Sequence, residues 1–255
     1  MKKFFGIMAA AMILFSYSLA SAIELGGENY IEVEGIVYPE GQSINEMRRI
    51  AVMDAYRQLS EQVDTIYVSV NSTVRNLRDL DDVISTKVDT ALRGAKVISV
   101  KRDSDGSFHA IVRLYTHGGA SSLAGAVLKE DVELEDFPAP KFTNMVSGNY
   151  SGLIIDCRGK NLSTAIAPAI KSADGAEIYA YKNLGYQTAV SKGMISYSTS
   201  VNSGVERAGS TPLIVIAVNI SGGCDVVVSA EDADKILAAN KATKFLSNCA
   251  VVLVR

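Results

Sequence analysis

The stretch SINEMRRIAVMDAYRQLSEQV, residues 43–63, decides how the rest of the chain is read. Ser43 followed three positions later by Glu46 is a capping box, in which a hydroxyl and a carboxylate satisfy amide donors that the first helical turn leaves open. Behind it Ile44, Met47, Ala51, Ala55, Leu59 and Val63 recur three and four residues apart, so they form one apolar stripe on a helix. Fully burying the large members is worth about 1.5–3 kcal/mol each. That gain requires a sheet to lie against, and the small alanines let the helix axis sit close to it.

The flanking sequence supplies the sheet. On the amino-terminal side Tyr30 to Tyr38 alternates, with Ile31, Val33, Gly35 and Val37 on one face and Glu32 and Glu34 on the other, and Pro39 and Gly41 end the strand. On the other side Ile66 to Val70 is a β-branched run. From Asp79 to Arg93 the residues Leu80, Val83, Ile84, Val88, Ala91 and Leu92 recover helical spacing, and Gly94 stands at the carboxyl-cap position. Lys96 to Arg102 and Phe108 to Tyr115 flank the turn Asp103-Ser-Asp105-Gly106 and read as a β-hairpin. Phe108, Ala110, Val112 and Leu114 share its inner face. The order β-α-β-α-β-β packs helices on one side of a mainly antiparallel sheet.

Between His117 and Asn149 the periodicity breaks, with paired glycines and serines, an acidic patch over residues 130–135 and Pro138-Ala-Pro140, which together read as a linker. A short helix over Ser122 to Lys129 fits inside it. Beyond it Gly152 to Asp156 is a short apolar strand, and Asp174-Gly175 turns a second hairpin between Ala165–Lys171 and Glu177–Tyr181. Tyr186 to Gly209 is mixed. Thr211 to Ile220 and Cys224 to Val228 are strands, Ser229 caps a helix, and Ala250 to Val254 is a terminal strand of the kind found inside a sheet. The expected fold class is therefore α+β, two small domains, each with helices on one face of a mainly antiparallel sheet. The expected division is 1–22 signal peptide, 23–117 first domain, 118–149 linker and 150–255 second domain.

Composition fixes the compartment more firmly than the chemistry. Lys2 and Lys3, the apolar run from Phe4 to Phe15 and the small-x-small Ala20-Ser21-Ala22 have the form of a secretory signal peptide. The mature chain then starts at Ile23, and the apolar run is short for a membrane span. No cysteine stands at the cut to carry a lipid. Without Lys2 and Lys3 there are 23 basic and 28 acidic residues, a net charge of −5. Nucleic acid and anionic lipid, which need basic clusters, are not favoured partners. Cys157, Cys224 and Cys249 all lie in the second half. One pair among them can bridge in an oxidising compartment, or all three serve as buried apolar thiols.

Several motifs carry a family likeness. E-V-E-G-I-V (32–37), R-R-I-A-V-M-D-A-Y-R-Q-L (48–59), V-S-V-N-S-T-V (68–74), D-D-V-I-S-T (81–86), Gly94 and the hairpin that follows resemble the amino-terminal domain of flagellar assembly protein T and the related Lpp-twenty-like outer-membrane lipoproteins. G-L-I-I-D-C-R-G (152–159), A-P-A-I (167–170), D-G-A-E-I-Y (174–179) and E-R-A-G-S-T-P-L (206–213) resemble uncharacterised bacterial envelope proteins. The resemblance implies an accessory or assembly protein of the cell envelope, with no catalytic residues to carry over. Those lipoproteins begin at a lipidated cysteine, which this chain lacks.

Candidate chemistry is sparse. Asp156 and Arg158 project from one face of a strand, because side chains alternate with period two. They can hold an anion or ligand, or pair with each other. Arg207, close before Gly209, is a further ligand-binding candidate. His109 lies in a strand and His117 at the linker edge, so a Cys–His nucleophilic pair needs contact across the two halves. Asp103-Ser-Asp105-Gly106 begins like a calcium loop, but its twelfth position is Leu114 rather than a bidentate Glu. With no glycine-rich phosphate loop, nucleophile elbow or Cys/His ligand cluster, no catalytic residue, metal or cofactor is expected. The expected function is that of a secreted, non-enzymatic envelope protein acting through contacts with other envelope proteins, in or near the outer membrane. The competing expectation is a periplasmic protein that binds a small ligand or glycan through Asp156 and Arg158. A hydrolase would need Cys157 or a serine brought to His109.

Overall fold

The computed structural model describes residues 29–70, 73–79, 81–141, 148–202 and 205–255, so the expected signal peptide lies outside the described residues. The first half runs β1 (Tyr30–Val37), α1 (Ile44–Val63), β2 (Tyr67–Val70), β3 (Thr73–Asn76), α2 (Asp82–Arg93), β4 (Lys96–Arg102) and β5 (Phe108–Tyr115). β1, β5 and β4 form one antiparallel sheet with β5 in the middle. On α1, Met47, Ala51, Ala55, Leu59 and Val63 are buried and Ser43 Oγ accepts from Glu46 N–H. Ile44, expected in the stripe, is 53% exposed, because the sheet does not reach beneath the first turn. The helix comes so close to β1 that a Cβ on Gly35 would stand 2.1 Å from Ala51 O and 2.3 Å from Ala55 N. Only glycine fits there. Asp54 fastens the helix flank by accepting from Ile36 N–H, Gln58 and Arg57.

The α2 start is capped by Asp81, which accepts from Ile84 N–H, and Gly94 ends it. The hairpin turn closes as expected: Asp105 Oδ1 accepts from Ser107 N–H at 2.9 Å, and Gly106 has φ +90°. One strand departs from expectation. β2 does not enter the first sheet but pairs with β3 and, in parallel, with β7 (Ala165–Ile166). Its Ile66 and Val68 flank are buried in a core that the two halves share. Nor is residues 118–141 a free tether. It carries α3 (Leu123–Val127), buried except at Gly125, and Phe137 stacks on Tyr179 at 6.2 Å.

The second half contains β6 (Leu153–Asp156), then β7, β8 (Ile170–Ser172), β9 (Glu177–Tyr179), α4 (Tyr186–Lys192), β10 (Ser196–Ser198), α5 (Val205–Ala208), β11 (Leu213–Ile216), β12 (Asn219–Ser221), β13 (Asp225–Val228), α6 (Ala230–Thr243) and β14 (Val251–Val254). The α+β class stands, with an antiparallel sheet in the first half, but the main sheet here corrects the antiparallel expectation. It has the order β10-β14-β6-β11 and every pairing in it is parallel. The reason is visible in β6 and β14. Leu153, Ile154 and Ile155, and all of Val251 to Val254, are buried on both faces, as central parallel strands are, whereas a half-solvated antiparallel strand alternates. A second sheet, β12-β13-β8-β9, is mixed and contains the Asp174-Gly175 hairpin. Within it the fully buried Asp225 accepts from Ala169 N–H and lies 2.7 Å from Lys171 Nζ, which satisfies a charge that burial would otherwise make costly.

Candidate functional site

Asp156 and Arg158 stand at the carboxyl end of β6, where parallel sheets commonly bind ligands. They do share a face, and they meet. Arg158 Nε donates to Asp156 Oδ1 at 2.9 Å, Nη2 donates to Oδ2 at 2.6 Å, and the backbone N–H of Arg158 donates to Oδ1. The hydrogen bonds from Arg158 hold the Asp156 carboxyl below its ordinary range and raise the guanidinium in turn. The Nε and Nη2 donors of Arg158 are occupied within the pair and the guanidinium charge is neutralised by Asp156, which leaves the Nη1 side to an approaching anion.

Arg207 lies at the other end of the same sheet. From α5 its Nε donates to Cys249 O at 2.7 Å and its Nη2 to Gly193 O at 2.5 Å. These carbonyls lie just before β14 and β10. Four residues of strand separate the two ends, about 13 Å, so Asp156, Arg158 and Arg207 do not converge on one ligand. Burial lowers the Arg207 pKa. Around it stand the buried Tyr179, whose hydroxyl donates to Met194 O, and His117, whose Nδ1 is 3.2 Å from Thr116 Oγ1. A Cβ on Gly193 would touch the His117 ring at 3.1 Å. The cavity beside His117 holds about 30 Å³, room for a water or two and not for a substrate. Among the described residues Arg207 meets carbonyls and no carboxylate, which makes it a brace between strand ends.

His117 carries a testable consequence. Burial, reinforced by the Arg207 charge, pushes its pKa from 6.5 down to about 4. The folded chain therefore binds this proton more weakly than the unfolded chain. The associated stability is complete above about pH 6.5 and is lost as pH falls towards 4, by about 3 kcal/mol at most. Urea unfolding of the wild type is expected to weaken between pH 6.5 and 4.5 by more than that of His117→Gln. Equal slopes for the two proteins would contradict the assignment.

The hydrolase arrangement is met in part. Ser107 Oγ lies 3.1 Å from His109 Nε2, and His109 Nδ1 lies 2.9 Å from Glu34 Oε1. Period-two spacing in the strand would have placed Ser107 beside His109, although the sequence reading singled out no particular serine. However, Ser107 is fully buried and its hydroxyl donates to Asp105 Oδ1 at 2.6 Å. That proton is engaged by Asp105 and is not offered to the imidazole, as transfer to a general base would require. All three cysteines, Cys157, Cys224 and Cys249, are free and buried in this structure. Cys157 and Cys249 occupy opposite ends of the parallel sheet and Cys224 a turn of the other sheet. Burial raises all three thiol pKa values, those of Cys157 and Cys224 to about 12.

An exposed sheet edge that could accept a strand is a reading the sequence allows without saying which strand offers it. Among the described residues β11 is an edge strand, paired with β6 alone. Val215 points into the core, while Ile214 and Ile216 on the outer side are 53% and 68% exposed, and Val218 continues the apolar stripe. The run Thr211 to Ile220 hid this, because both of its faces are apolar.

In class, this is an α+β protein that fits an exported, envelope-associated role: part of it is similar to a lipoprotein family, and among the described residues no helix is long and apolar enough to cross a membrane. In particular, residues 20–115 match the LPP20 lipoprotein family, and residues 152–255 match the family described as Treponema pallidum Tp0624, second domain. The two matches end and begin at structural boundaries, the end of β5 and the start of β6. No curated protein matches the chain.

Proposed function

We propose that the chain is a non-enzymatic envelope protein that acts by docking to other envelope proteins, in assembly of a structure at or near the outer membrane. The likeness to the LPP20 lipoproteins supports the setting, and the resemblance to the flagellar assembly protein T domain supports a role in building a surface structure. The observation that carries the docking reading is the β11 edge, where Ile214 and Ile216 stand exposed beside backbone that pairs with no further strand among the described residues. Proteins usually blunt such edges with charge or cover them, and an open one accepts a strand from a partner.

A photo-reactive side chain placed at position 216 in cells is expected to give one discrete protein adduct, and one placed at the exposed turn residue Ser104 is expected to give none. Ile214→Lys should abolish the adduct while leaving the melting temperature close to wild type, since surface changes rarely exceed about 0.5 kcal/mol. The same adduct pattern at both positions, or none at 216, would remove the basis for the proposal.

A further inference from the structure

A groove of about 630 Å³ runs between α2 and the loop that leaves β5, within the size range of small-molecule sites. Its walls are Thr86, Lys87 and Thr90 of α2, Lys96 at the start of β4, Tyr115 at the end of β5, and the Gly118-Gly119-Ala120-Ser121-Ser122 loop. None of its lining residues is acidic, in a chain whose formal charge is −3. Across α2 the contrast is sharp, because a neighbouring cavity that also touches Lys87 is lined by Asp81, Asp82, Glu130 and Asp131. Charge is sorted between the two sides of one helix, and the basic side is the one built on a bare backbone.

Three observations define what would fit. First, neither Lys87 nor Lys96 has a carboxylate partner among the described residues; Lys96 Nζ rests 5.7 Å from the Tyr115 ring centroid. Second, positions 118 and 119 have φ +116° and +154°, and a Cβ at either would meet nothing within 4 Å. The glycines thus leave open space along the wall, and the backbone N–H groups of Gly119, Ala120 and Ser121 have no acceptor among the described residues. Third, Tyr115 lines the groove, is partly exposed and is held edge-on by Tyr30 at 6.2 Å. Ammonium groups answer a carboxylate, free amides and hydroxyls answer ring hydroxyls, and an aromatic ring gives the apolar face of a pyranose a surface to lie on.

We propose that this groove binds a carboxylate-bearing sugar, with Lys87 and Lys96 holding the acid group and Tyr115 with the 118–122 loop receiving the ring. The site is independent of the β11 edge, so either assignment can fail alone.

The test is an NMR titration of the purified protein with methyl glucuronide, methyl glucoside and inorganic phosphate. The first two differ in the carboxylate alone, and phosphate supplies charge without a ring. The glucuronide is expected to give saturable shifts at the amides of Gly118 to Ser122 and of Thr86 and Lys87, while the glucoside and phosphate do not saturate. The Lys87→Gln/Lys96→Gln protein should bind the glucuronide at least about tenfold more weakly. Both lysines are exposed and neither has an ion-pair partner among the described residues, so the variant keeps its fold. The proposal is overturned if the glucuronide does not saturate, if the glucoside or phosphate binds as well, or if the double variant binds undiminished.

Discussion

Ala55→Glu is expected to abolish the folded state. Ala55 is fully buried and its backbone lies against Gly35 of β1, so a longer side chain at that point has no room and its carboxylate no partner. An unpaired buried charge with steric displacement costs several kcal/mol, on the order of 4–5, against a total stability of about 5–15 kcal/mol for a typical protein. Met53→Glu on the same helix provides the control, because Met53 is exposed and outside the buried stripe. Thermal and urea unfolding should show Ala55→Glu without a cooperative transition and Met53→Glu close to wild type. A native melting temperature for Ala55→Glu would mean that α1 does not seat on β1 as described. Because one apolar core runs through residues of both halves, the loss should extend to the second half, with its tyrosines becoming exposed together with those of the first.

The second large effect is expected for Arg207→Ala. Removing the guanidinium leaves Cys249 O and Gly193 O without the charged donor that now joins them. Each such bond contributes about 1.5–3 kcal/mol, and a buried acceptor left unpaired adds its desolvation penalty. A loss of roughly 3–5 kcal/mol follows, with hydrogen exchange quickened first at the amino-terminal ends of β10 and β14. Arg207→Met restores bulk without donors and should recover little of it. If Arg207→Ala unfolds at the wild-type urea concentration, the residue is not a brace, and a role in ligand binding regains its case.

The parts of the chain that could be read in advance are those governed by local spacing. α1 announces itself because a cap, a stripe of period 3.6 and two alanines all agree, and the β4–β5 hairpin because its turn chemistry matches the alternation on either side. The parallel sheet was missed for a physical reason. Its strands are three or four residues long, too short to show a period, and the continuous apolar runs at 153–155 and 251–254 mark burial on both faces, which the antiparallel reading passed over. Asp156 and Arg158 were legible as neighbours, but whether neighbours serve a ligand or each other depends on rotamers. Arg207 was legible only as an oddity, since its partners are two backbone carbonyls from distant segments, and a carbonyl leaves no trace in residue type. The acidic, glycine- and serine-rich composition after His117 read as a tether because solvent-exposed loops and the walls of a polar groove draw on the same amino acids.

The order of strands also governs when the second half can close. β14 lies between β10 and β6, with Leu153 opposite Val251. During folding, β6 therefore waits for its partner β14, which lies nearly a hundred residues downstream, and pairings over such separations form slowly. A chain that lacks β14 has a gap between β10 and β6, so β14 is the strand that closes the sheet.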